Sequence, residues 1–183
     1  KIIYRNKAKL HDDIYVTGTL GDSFIGLQVL KKKIKVNDKL ANFFIKKYYL
    51  PDLHIIFAKH LLKIANTSID ISDGLIDDLT KMINRQNLSF QLIEKKIPIS
   101  NSLIKLIKIK KLKKIKLISN GDDYQVLFTA DPKKSRIIKN ISISSGLKIS
   151  KIGKIISGKK RSLVINEKGK QIVLKIKGYV HKF

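Results

Sequence analysis

The stretch Asn66–Asp78, NTSIDISDGLIDD, constrains the fold of this chain more than any other, because its hydrophobic period changes within a few residues. Ile69 and Ile71 alternate with Asp70 and Ser72, which predicts a short strand with one polar side. Leu75, Ile76, Leu79, Met82 and Ile83 then recur at helical spacing, which predicts a helix starting near Asp73 with Ser72 or Asp73 as its N-cap. Asp70, Ser72 and Asp73 therefore converge where a strand ends and a helix begins. The stretch also gathers Asp70, Asp73, Asp77 and Asp78, in a chain with 14 acidic residues against 39 basic ones.

A helix N-terminus favours anions, so a phosphate can be accommodated there. Several carboxylates would repel that phosphate unless a cation lay between them. Mg²⁺ suits the place: it is hard, takes oxygen ligands, and commonly binds one or two carboxylates together with substrate phosphates. The plainer alternative is that the aspartates only complement the helix dipole.

The 183 residues suit one domain, and 43% hydrophobic content supports a core. The chain begins with Lys1, and a fragment or processed product is expected. No apolar run approaches the ~20 residues of a membrane-spanning helix, and no secretory signal is recognisable, so no membrane role is expected. The absence of cysteine excludes disulfides and thiolate metal sites and agrees with a cytoplasmic location. His11, His54, His60 and His181 are scattered without zinc-site spacing.

The net charge of +25 invites a nucleic-acid reading. Nearly all of it is lysine, however; the arginines are Arg5, Arg85, Arg136 and Arg161. Arginine is the residue that reads bases and phosphates bidentately. Lysine, isoleucine and asparagine, all abundant here, share A/T-rich codons, and the charge is read as compositional bias. No specific nucleic-acid partner is expected.

Along the chain, Asp13–Gly18 reads as a strand, with a Gly18–Gly21 turn into a helix over Ser23–Lys32 that Asp22 is placed to cap. The turn lacks the GK[ST] ending of a Walker A loop. Asp38–Tyr49 and His54–Ile64 read as helices separated by Pro51. Leu88–Ile97 reads as a strand. The lysine-rich Ser102–Ile118 reads as one or two helices with a solvated lysine face and a break at Lys110–Lys111, in preference to a membrane-surface helix. Asn120-Gly121 signals a turn, followed by a strand with Tyr124, Val126 and Phe128 on one face and Asp122 and Asp123 at its mouth. Pro132–Ile143 reads as a helix, and Leu147–Ser157, Ser162–Ile165 and Gln171–Ile176 as strands. This order predicts an α/β (α+β) fold, with helices on one face of a mixed sheet.

The motifs DIYVTGTLGDSFIGL (13–27), SIDISDGLIDDL (68–79), NGDDYQVLFT (120–129), KIGKI (151–155) and KGYVHKF (177–183) are similar, in order and separation, to those of the thiamine-monophosphate kinase family. The resemblance covers essentially the whole chain and is to the C-terminal domain of such enzymes. It implies the aminoimidazole-ribonucleotide-synthetase-like fold, a mixed sheet covered by helices. Residues 1–12 would then be a connecting segment from a missing N-terminal domain, and 13–183 the C-terminal ATP- and substrate-binding domain. The implied reaction passes the γ-phosphoryl of ATP to thiamine monophosphate, giving thiamine diphosphate. By resemblance Asp70 and Asp73 would ligate Mg²⁺, Arg5 and Ser72 would contact ATP, and Asp122 and Tyr179 would contact thiamine monophosphate. A homodimer is expected of the complete enzyme.

The implied parts suit the chemistry, because phosphoryl transfer is mainly positioning and charge neutralisation. The acceptor is itself a phosphate, so no catalytic base is assigned. The chain departs from the family pattern in two places. Asn120-Gly121-Asp122-Asp123 replaces the usual GGED, and the tail carries Val180 for Asp and an extra Lys182. Two other readings compete: a sister ATP enzyme related to selenophosphate synthetases or hydrogenase-maturation proteins, and a lysine-rich nucleic-acid-binding module. The SIDISDG and KGY stretches argue against the first, and the scarcity of arginine against the second.

Overall fold

The computed structural model describes residues 2–172. The elements, in chain order, are β1 (Asp13–Thr17), α1 (Asp22–Leu30), α2 (Asp38–Tyr49), α3 (Phe57–Ile64), β2 (Thr67–Asp70), α4 (Leu75–Met82), β3 (Leu88–Ile93), α5 (Asn101–Lys110), α6 (Lys114–Ile118), β4 (Val126–Ala130), α7 (Ser135–Ser145), β5 (Ile149–Ser157), β6 (Leu163–Ile165) and β7 (Gln171–Ile172). The strands form one sheet in the order β2-β4-β1-β5-β3-β6-β7. Its pairs are antiparallel except β3 with β6, which makes the sheet mixed.

Helices lie on both faces of this sheet, where one face was expected. The reason is legible in β1. Ile14, Tyr15 and Val16 are consecutive, apolar and buried, and successive side chains of a strand point to opposite faces. Ile14 and Val16 pack with Leu75, Leu79 and Met82 of α4. Tyr15 packs on the other side with Phe57 and Ile64 of α3 and Ile138 and Ile141 of α7. Its ring stacks on Phe128, its cross-strand partner, with centroids 5.3 Å apart. A third cluster of Ile25, Phe44, Leu103, Leu106 and Leu117 joins α1, α2, α5 and α6.

The lysine run divides as the break at Lys110–Lys111 predicts, with Lys111 in the left-handed region at φ 51° between α5 and α6. Lys105, Lys108, Lys110, Lys113 and Lys116 are exposed while Leu103, Leu106 and Leu117 face inward. Element ends move by a few residues. The helix expected from His54 starts at Phe57, the strand expected to Ile97 ends at Ile93 in a 3₁₀ turn over Glu94–Lys96, and Pro132–Lys134 forms a 3₁₀ turn before α7. Tyr124 does not belong to the strand: it has φ 50°, and β4 begins at Val126. Of the strand expected over Gln171–Ile176, residues 173–176 lie outside the described residues.

The segment before β1 packs on the domain. Ala8 is buried in the core, the Asn6 amide donates to the Met82 carbonyl, and the His11 amide donates to the Ile155 carbonyl.

Candidate functional site

The two acid-rich stretches meet at the ends of β2 and β4, which pair antiparallel so that Asp70 lies opposite Val126. Beyond the ladder the chains stay zipped. The Ile71 amide donates to the Gln125 carbonyl at 2.9 Å, the Tyr124 amide to the Ile71 carbonyl at 2.9 Å, and the Asp122 amide to the Ser72 carbonyl at 3.0 Å. This closeness requires Gly121: a Cβ there would stand 1.8 Å from the Ser72 carbonyl oxygen. Gly74 is needed too, at φ 122° with the Ser119 carbonyl oxygen 2.5 Å from where its Cβ would be.

Neither Ser72 nor Asp73 caps α4; Gly74 occupies the N-cap. The side chain that satisfies the turn is Asp78, one turn inside the helix. Its Oδ2 accepts the amides of Ser72 at 3.0 Å, Asp73 at 2.9 Å and Gly74 at 3.1 Å. Its Oδ1 meets the Lys81 ammonium at 3.3 Å, and the residue is only 1% exposed. The amides expected to cradle a phosphate are thus already filled by the protein's own carboxylate. A phosphate at this place must be reached through side chains or a cation.

Around that turn, Asp70 is exposed at the end of β2 and Asp73 is half-buried, paired with Lys81. Burial raises the carboxyl of Asp122 above the usual range, and the Asp73 carboxylate raises it further, against a lowering by Lys31. Asp77 is likewise raised, first by burial, with Lys81 opposing and Asp78 and Asp73 adding to it. The hydrogen bond to Asp73 raises the Lys81 ammonium. The place is therefore rich in negative charge and short of cations. Among the described residues no three His, Cys, Asp or Glu side chains close around a common point. Asp70 and Asp73 nonetheless supply hard, accessible oxygens and leave most of a coordination sphere to water and phosphate, which fits Mg²⁺ rather than a metal needing a full protein cage.

Asp123 points the other way, into the interior. It is 4% exposed and accepts the amides of Gly21 at 2.7 Å and Ser23 at 3.4 Å, so it closes the N-terminus of α1 from the distant loop that precedes β4. Burial above all pushes its carboxyl up to about 8. Asp22, expected to cap α1, does not: the N-cap is Gly21, and Asp22 accepts the hydroxyls of Thr19 at 3.0 Å and Ser100 at 2.6 Å. Two residues on, just before β4, Gln125 Oε1 receives the Thr17 hydroxyl at 2.9 Å and lies 2.8 Å from His54 Nε2. The one trace of this network in the sequence is a pair of adjacent aspartates, only one of which can face solvent.

The remaining site expectations divide. Arg5 is exposed. Its neighbour Tyr4 accepts the Thr67 hydroxyl at 2.8 Å, and Asn6 donates to Met82, so Arg5 stands at the start of β2 and the end of α4. That is about 10 Å along the strand from Asp70, and the structure does not bring Arg5 to Ser72. Tyr179 lies outside the described residues.

No family model matches the chain. Known proteins do. The thiamine-monophosphate kinase of Buchnera aphidicola (subsp. Acyrthosiphon pisum) is 36% identical over 180 residues, 98% of this chain and 55% of the relative. That of Escherichia coli K12 is 32% identical over 183 residues, 99% of this chain and 55% of the relative. The structure of AaThiL complexed with AMPPCP and TMP superposes with a TM-score of 0.79 at 29% identity, over 98% of this chain and 54% of that one. The E. coli HypE structure, at 12% identity, shares the fold alone, with a TM-score of 0.72 over 94% of this chain and 52% of that one. The chain spans about half the length of the curated relatives it matches. Related along nearly all of its own length, the chain belongs to the thiamine-monophosphate kinase family.

Proposed function

We propose that this chain is the C-terminal, ATP- and substrate-binding part of a kinase that converts thiamine monophosphate and ATP to thiamine diphosphate and ADP. The observation that carries the reading is the Asp122 amide bonded to the Ser72 carbonyl at 3.0 Å, in a chain 36% identical to a kinase of that name. That contact locks the turn proposed for metal and nucleotide to the loop proposed for the acceptor. The relative complexed with AMPPCP and TMP supports ATP and thiamine monophosphate as the two substrates.

Asp70 and Asp73 would hold Mg²⁺, which when bound supplies charge neutralisation for the phosphates. The Ser72 hydroxyl, set beside them, donates to a phosphate oxygen. Asp122 accepts a hydrogen bond from the amino group of the substrate's pyrimidine, and Tyr179 stacks on its cationic thiazolium. Arg5 touches the nucleotide at a different point from Ser72, since the two stand at opposite ends of β2. No general base is needed, because the attacking oxygen belongs to a phosphate that is already anionic. The activity requires the other half of the relatives' length, and a cytoplasmic homodimer is the working assembly. No described helix is long and apolar enough to cross a membrane.

The test joins this chain to the remaining half of the enzyme and supplies ATP, Mg²⁺ and thiamine monophosphate. Thiamine diphosphate is followed by chromatography after oxidation to thiochrome. Mg²⁺-dependent product that falls by orders of magnitude in Asp73→Asn is expected. A folded, ATP-binding protein that makes no thiamine diphosphate would overturn the reading.

A further inference from the structure

We propose that Lys81 is an internal counter-ion that competes with the metal for Asp73, and that Asp78 retains it when the metal binds. This rests on the reading of Asp73 as a metal ligand. The Lys81 ammonium meets Asp73 Oδ2 on one side and Asp78 Oδ1 on the other, the latter at 3.3 Å. An ammonium has three donors and serves both acceptors at once.

The two carboxylates are not equivalent. Asp78 is 1% exposed, and its second oxygen is held by three backbone amides, so it cannot leave. The Asp73 side chain is 30% exposed, on a turn open to solvent. A cation arriving from solvent therefore displaces Lys81 from Asp73 alone and leaves it on Asp78. The lysine is suited to this exchange: it is 46% exposed, and its contact with Asp78 gives it a second place to rest. Of the neighbouring carboxylates, Asp77 is also held down by the Lys81 ammonium, whereas Asp122, which feels Asp73, is held down by Lys31. The device lowers metal affinity by about two- to fivefold, the range of an exposed ion pair.

The test titrates this chain, without nucleotide, with Mn²⁺ and counts the free ion by electron paramagnetic resonance. Lys81→Gln is expected to bind about two- to fivefold tighter than the parent, Lys81→Arg like the parent, and Asp73→Asn to lose the site. Lys31→Gln, which removes a nearby charge that touches Asp122 electrostatically rather than Asp73, reports any general field effect. Equal tightening in Lys31→Gln and Lys81→Gln overturns the competition. So does equal affinity of the parent and Lys81→Gln when Asp73→Asn still abolishes binding, in which case the metal reading survives. Binding that ignores Asp73→Asn sinks the metal reading and this proposal together.

Discussion

The carboxyl group of Asp123 accepts the backbone amide of Gly21 at 2.7 Å, across 102 positions of sequence. The loop that leads into β4 thereby closes the first turn of α1. Because Asp123 is buried and its carboxyl sits at about 8, the folded protein holds it protonated over most of the neutral range. The unfolded chain releases that proton near 4. The stabilising contribution is therefore complete below about pH 4 and is lost as pH rises through about 8. The unfolding midpoint of the parent should fall between pH 5 and pH 9, while Asp123→Asn, which imitates the protonated acid, should show a flatter profile over the same range. Identical slopes in a thermal-melt series would refute this account.

Asp78 should prove the most costly acid to remove from the α4 turn. Replacing it by alanine strands three amides and deprives Lys81 of its buried partner. A loss of about 2–4 kcal/mol is expected in urea unfolding, with Asp78→Asn falling between variant and parent. Asp77→Ala, on the same helix but more exposed, should cost far less.

Gly121→Ala tests the approach of the two loops. The added methyl meets the Ser72 carbonyl oxygen at 1.8 Å, so one backbone must retreat. The expected price is about 1–3 kcal/mol of stability. In the joined enzyme, KM for thiamine monophosphate should rise more than KM for ATP, because Asp122 moves with the retreating loop. A rise confined to ATP would place the acceptor elsewhere.

Arg5→Ala should raise KM for ATP by about tenfold, the value of one charge-assisted contact, with kcat nearly unchanged. Steady-state kinetics on the joined enzyme decide it. A fall in kcat without a change in KM would instead put Arg5 on the transferring phosphoryl group, beside Ser72.

Several of these features were readable from residue order. The switch from period two to helical spacing across Ile69–Met82 located β2 and α4, because alternation and 3.6-residue recurrence are both local properties. The break inside the lysine run was local as well. Helix caps were not. Ser72, Asp73 and Asp22 are all suitable capping residues by type, yet the turn amides of α4 go to Asp78 and those of α1 to Asp123. A hydrogen bond is claimed by whichever acceptor the fold brings nearest, and in α1 that acceptor comes from a loop about 100 residues away.

What the sequence by itself determined is the set of elements, the mixed α/β class and the family. These depend on side-chain type and spacing along the chain. Only the tertiary structure decided that both sheet faces are covered, that Asp122 and Asp123 look in opposite directions, that Asp78 fills the amide nest, and that Arg5 stands a strand's length from Ser72. Each of these depends on which distant backbone lies within about 3 Å, a distance that exists only once the sheet has closed.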